Sequence, residues 1–110
     1  LSNTLKKLFQ SQLDSSDGLL YTVPAGTTTV FTLLVLTNTD SSDRTFRLHQ
    51  VDSAGSSSAA NAAYYDYSIA AKRTFIPPLS GMVGQAGQML RGLCSSASKV
   101  TVTGFGIERT

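Results

Sequence analysis

The chain has 110 residues, of which 41% are hydrophobic and only 15% charged, and nine Lys and Arg against seven Asp and Glu leave a net charge of +2. This is about one small domain, and its cations are scattered, which excludes the clustered basic face that phosphate binding requires. A single cysteine, Cys94, and a single histidine, His49, exclude an intrachain disulfide and a zinc site built from Cys and His of one chain.

In chain order, the opening segment comes first. Lys6 and Lys7, followed by Leu8, Phe9 and then Gln10, Ser11 and Gln12, do not form the continuous apolar core of a secretory signal. Leu5, Leu8, Phe9 and Leu13 match a helical stripe, while Phe9, Ser11 and Leu13 fit an edge strand. A helix of about ten residues is marginal alone, so either form needs a surface to lie on. Leu19 to Val23 makes the first clear strand, closed by a Pro24-Ala25-Gly26 turn in which proline fixes φ and glycine frees it. Thr28 to Thr37 is the longest strand candidate. Phe31, Leu33 and Val35 alternate there with Val30, Leu34 and Leu36, which predicts a central strand covered on both sides. Its apolar stretch, Val30 to Leu36, is far short of the roughly 20 residues of a membrane helix.

Asn38 to Asp43 is a turn-rich connection. Thr45 to Val51 then alternates, Phe46 and Leu48 facing one way and Arg47 and His49 the other, as a half-buried strand does. Asp52 to Ala63 is small and polar, with little to bury, and reads as a loop. Tyr65, Tyr67 and Ile69 mark a strand face with Tyr64 opposite, and Arg73 to Ile76 is a short strand ended by Pro77-Pro78. Gly81 to Gly87 reads as a turn region, Gln88 to Cys94 as a strand interrupted at Gly92, and Lys99 to Ile107 as the last strand. In that strand the apolar set passes from Val100 and Val102 to Phe105 and Ile107, and a bulge at Gly104 would return the second pair to the inward face.

About seven to eight short strands with no long helix predict an all-β fold, an antiparallel β-sandwich of jelly-roll-like type. Its expected core holds Tyr21, Leu34, Leu36, Phe46, Leu48, Val100 and Val102. Residues 1–13 read as an N-terminal assembly arm or edge strand, and residues 14–110 as the sandwich domain.

The residues offer little chemistry. A general base needs an orienting acid and a nucleophile in reach, and His49, on the polar side of its strand beside Arg47, reads as an exposed structural imidazole. Cys94 reads as a small buried hydrophobe. Asp14, Asp17, Asp40, Asp43 and Asp52 lie where aspartates cap turns, and Asp40 with Asp43 supplies too few oxygens for calcium. The glycines at 81, 84 and 87 have neither the spacing nor the setting of a dinucleotide loop. Tyr64, Tyr65 and Tyr67 suit core or interface packing better than a carbohydrate platform. No catalytic residue, metal or cofactor is expected, and the interaction candidates are Leu5, Leu8, Phe9 and Leu13 of the arm together with Tyr64.

Three segments carry a recognisable pattern: Leu20-Tyr21-Thr22-Val23-Pro24-Ala25-Gly26-Thr27, then Leu36 to Thr45 around Asn38-Thr39-Asp40, and Leu90-Arg91-Gly92-Leu93 followed by Val100-Thr101-Val102-Thr103. Over roughly residues 8 to 108 the chain resembles a group of small structural proteins of tailed bacteriophages. Gly87-Gln88 is a mild departure, since a glycine followed by an acidic or polar residue usually precedes the Leu-Arg-Gly strand. Phe9 to Leu13 resembles the extended Phe-Gln-x-Gln-Leu stretch of that group, which favours a strand at the N-terminus. The resemblance implies a non-enzymatic β-sandwich of the virion, assembled in the bacterial host cytoplasm. As a capsid decoration or cement protein it would contact the major capsid protein and copies of itself, with a trimer the favoured oligomer and no nucleic acid or membrane partner. The alternatives are a tail, neck or baseplate attachment protein bound to tail proteins and, from a different class, a carbohydrate-binding adhesion module.

Overall fold

The computed structural model describes residues 2–79 and 82–110. Leu1 and Gly81, which belong to the expected arm and to the expected turn region, lie outside the described residues. The strands are β1 (Asn3–Gln12), β2 (Gly18–Thr22), β3 (Thr28–Asn38), β4 (Arg44–Val51), β5 (Ala62–Ile69), β6 (Thr74–Phe75), β7 (Val83–Gly84), β8 (Met89–Cys94) and β9 (Val100–Arg109). They form two antiparallel sheets. One has the order β1-β9-β3-β6, with β7 also on β3, and the other the order β2-β8-β4-β5. The chain crosses between the sheets at nearly every connection, and this order is that of a jelly roll.

Local chemistry accounts for the turns. Gly26 adopts φ +68° and Thr27 N–H closes the turn on the Pro24 carbonyl at 3.2 Å, a conformation that other residues resist. The serine-rich loop ends in a short 3-10 turn over Ala59–Asn61, capped reciprocally by Ser58 and Asn61. Asn38, at the end of β3, is fully buried. Its amide donates to the carbonyls of Ser42 and Ile69 and its oxygen accepts from Asp40 N–H.

The core lies between the sheets. Leu34, Leu36, Phe46, Leu48, Val100 and Val102 are sealed there and Tyr21 nearly so, because strict alternation sends each of them to the inner face. Tyr21 links the two layers. Its ring packs on Phe9 and Phe31, and its hydroxyl reaches Thr29 Oγ1 at 2.8 Å and Glu108. Burial, and then the Glu108 carboxylate, push its pKa up to about 12. Cys94 is a buried free thiol.

Several expectations are corrected. The last strand has no bulge at Gly104: β9 alternates without interruption, Gly104 and Gly106 continue the inward face of Val100 and Val102, and Phe105 and Ile107 point outward. The irregularities lie in the flanking strands, at Leu8 and at Thr32. The inward space over the glycines is taken by neighbours, since a Cβ at Gly104 would meet the Phe9 ring and one at Gly106 the Val30 carbonyl. Secondly, β3 is central but covered on one side only, with Val30 and Leu33 open. Thirdly, β8 runs through Gly92 without a break, its missing side chain leaving room for the Arg47 carbonyl and Leu48.

Fourthly, Tyr64 and Tyr67 share a face and Tyr65 opposes them. Asp66, at φ +53°, is an extra residue in β5 that shifts the phase by one. His49 is buried rather than exposed, because the serine-rich loop folds over it. Its Nδ1 lies 2.9 Å from Asn61 Oδ1 and its ring meets Tyr65 edge-on.

Candidate interaction surface

Residues paired across neighbouring strands share a face, so the register defines the outer surface of the β1-β9-β3 sheet row by row. One row runs Leu5, Ile107, Val30, Val83, and the next Lys7, Phe105, Leu33. Val35 follows, beside Thr103 and Gln10. Leu5 is 73% exposed, Val83 44%, Val30 38% and Leu33 36%. With Ile107 and Phe105 of β9 half-buried between them, these apolar side chains form one contiguous stretch drawn from four strands. Beyond them the face changes to Gln12, Thr101, Thr37 and Thr74, linked by hydroxyl contacts such as Thr37 to Thr74 at 3.1 Å.

The electrostatics of the apolar half are one-sided. Its charged neighbours in the register are Lys7 and Arg109, both cations. Glu108 alternates inward, where Lys6 Nζ sits 2.8 Å from its carboxylate and Tyr21 donates to it. Lys6 first, and Tyr21 second, hold its pKa below the usual carboxylate range. An apolar patch of this kind, bordered by cations, is a candidate interaction surface.

The interaction candidates divide between this surface and the interior. Leu5 belongs to the bare face. Leu8 and Phe9 are half-buried and fill the space over Gly106 and Gly104. Leu13 is 1% exposed, beyond reach of a partner, because β1 turns it into the core; it is a core residue, a correction to its place among the contact residues. The segment Asn3–Gln12 pairs along β9 as the edge strand of its own sheet. Tyr64 belongs to a cluster with Phe46, Tyr67 and Phe75, with ring centroids 4.6–6.1 Å apart, that closes the side of the sandwich between β5 and β6. Burial raises its pKa.

Phe105, Ile107, Val30, Leu33 and Val83 were missing from the sequence reading of contact residues. For Val30 and Leu33 the signal is present as apolar residues of both parities in β3, a pattern that also predicts burial on two sides. Elsewhere, Arg47 pairs with Asp66 at 2.7 Å and lies 3.9 Å from the centre of the Tyr65 ring, and Arg91 pairs with Asp17 at 2.8 Å. No group of three His, Cys, Asp or Glu side chains suited to a metal ion occurs among the described residues. Compared with known proteins, the chain matches no family model, no curated protein and no solved structure.

Proposed function

We propose that the chain is a non-enzymatic structural protein of a tailed-bacteriophage virion, a capsid decoration or cement protein that stabilises the shell through contacts with the major capsid protein and with copies of itself. The observation that carries this reading is the bare apolar half of the β1-β9-β3 face. A domain this short buries only about 60–70% of its unfolded surface and has no disulfide to help it. Covering the patch by association adds burial that the monomer lacks, and the trimer is the form in which copies would meet. The pattern shared with small phage structural proteins supports the same reading.

The surface on the shell that receives this face is apolar and carries carboxylates, to match Lys7 and Arg109. The tyrosines give less support to glycan adhesion, which needs free, coplanar rings. Tyr65 carries the Arg47 guanidinium on its face, and Tyr67 stacks on Phe75 at 4.6 Å. A quantitative gel of purified virions tests the proposal. Copies in the hundreds per particle are expected for decoration, and a number matching a few rings would move the protein to the tail, neck or baseplate. Its absence from the particle would overturn the virion assignment.

A further inference from the structure

Independently of any place in a virion, we infer that the serine-rich loop is a strap: residues 53–61 lift from the sheet as one piece while the sandwich stays folded, and the contact of Ser57 with Asp17 is the latch. Along that segment only Ser57 and Asn61 are half-buried, and every other residue is exposed. Those two are its anchors. Ser57 Oγ donates to Asp17 Oδ1 at 2.8 Å, and Asn61 Oδ1 lies 2.9 Å from His49 Nδ1. None of the segment's side chains belongs to the apolar core, so the sandwich keeps its core when the strap leaves. Segments with few apolar contacts and exposed hydrogen bonds open locally, below the free energy of global unfolding.

Bonds within the loop hold it together as it lifts. Ser58 N–H donates to Asn61 Oδ1 at 3.0 Å, the Asn61 amide donates to the Ser56 carbonyl at 2.9 Å, and Asn61 N–H donates to the Ser58 carbonyl at 3.2 Å. Of the two ties to the sheet, the one to Asp17 is the stronger, because an ionised acceptor makes a hydrogen bond about twice as strong as a neutral one. The carboxylate is itself fixed by Arg91 Nε at 2.8 Å. The latch thus joins the loop to β8 and to the connection between β1 and β2. Near the loop's entry Ala54 holds φ +61°, a left-handed conformation that costs an alanine energy and that lifting releases. Beneath the strap lie His49 and Val51, 3% and 2% exposed, and Gly55 sits so close that a Cβ on it would be 3.2 Å from Val51 Cγ1. Opening therefore bares an imidazole and an apolar side chain next to Arg91, the cross-strand neighbour of His49.

The single histidine is the reporter, since diethyl pyrocarbonate modifies an imidazole only where it is accessible. On the full chain at neutral pH, His49 is expected to react much more slowly than free histidine. Its rate should rise with urea less steeply than exchange of the slowest β4 amides, because each slope follows the surface exposed by that opening. Ser57→Ala removes the strap's half of the latch, leaves Arg91 on Asp17, and is expected to speed the modification about tenfold. Val102→Ala weakens the core of the opposite sheet, so it should speed exchange of those amides and leave the His49 rate unchanged. If that variant fails to fold, the urea slopes decide. Equal slopes, or a His49 rate that follows core exchange in Val102→Ala, would show that His49 is reached only by global unfolding and would overturn the strap. Reaction as fast as free histidine would overturn its closure, and an unchanged rate in Ser57→Ala would overturn the latch.

Discussion

The two outer faces of this sandwich are finished in opposite ways. Over the β8-β4-β5 sheet the chain covers itself: the serine-rich loop buries His49 and Val51, Asn61 satisfies the imidazole, and Arg47 and Arg91 are neutralised by Asp66 and Asp17. Over the β1-β9-β3 sheet Leu5, Val30, Val83 and Leu33 stay exposed, with Ile107 and Phe105 half-buried between them. Both faces rest on the same core, so the difference does not come from the architecture. It comes from where the sequence spends its one long loop, and it separates a surface completed within the subunit from one left for another molecule.

Removing the support of both faces has the largest expected effect. Phe46 is fully buried and touches Tyr64, Tyr67 and Phe75, so Phe46→Ala is expected to cost about 3–5 kcal/mol in denaturant unfolding. A loss below about 1 kcal/mol would show that the layer is not shared as described. On the covered face alone, Asn61→Ala removes the partner of His49 and the reciprocal cap of the 3-10 turn. The expected cost is about 1–3 kcal/mol, with incorporation into particles, on the proposed decoration role, unchanged. Lost incorporation at normal stability would reverse the roles of the two faces.

Acid is expected to act on the bare side first. Glu108 has a depressed pKa in the folded chain, so the stability it contributes is present above the unfolded carboxylate pKa, about 4.3, and is lost as pH falls through the folded value. Because Glu108 joins Lys6 of β1 to Tyr21, protection from hydrogen exchange, taken against the intrinsic rate at each pH, should fall in β1 at low pH before it falls in β4. Equal loss of protection would remove Glu108 as the tie, and Glu108→Gln at neutral pH should reproduce the effect. The smallest change in stability is expected for Leu33→Lys, within about 0.5 kcal/mol for an exposed position. On the proposed decoration role it should nevertheless abolish binding to particles stripped of this protein, and undiminished binding would show that the bare face is not the contact.

The sandwich and its core were legible because Tyr21, Leu34, Leu36, Phe46, Leu48, Val100 and Val102 stand at alternating positions in uninterrupted runs. The faces were legible only up to the first bulge. Asp66 inverted the reading of the tyrosines, since nothing local marks an aspartate for a left-handed conformation in a strand. Gly104 drew attention to a slip that lies in the strands on either side, at Leu8 and Thr32, where no glycine announces it. His49 was misplaced for another reason: its cover comes from a loop that pattern alone leaves featureless. The bare surface was written in β3 as apolar residues of both parities, but a single chain does not say who supplies the second cover.

The same bulges have a consequence for behaviour at high concentration. Free strand borders invite other chains to add on by backbone pairing and grow into fibres. Here β1 is broken in register at Leu8, β2 at Leu20 and β5 at Asp66, and the remaining border is made of the two-residue pieces β6 and β7. Each border of both sheets is thus kinked or too short to template a neighbour. Crowded copies are steered away from open-ended growth, and contact between them is left to side chains, whose shape and charge can end an assembly at a defined size.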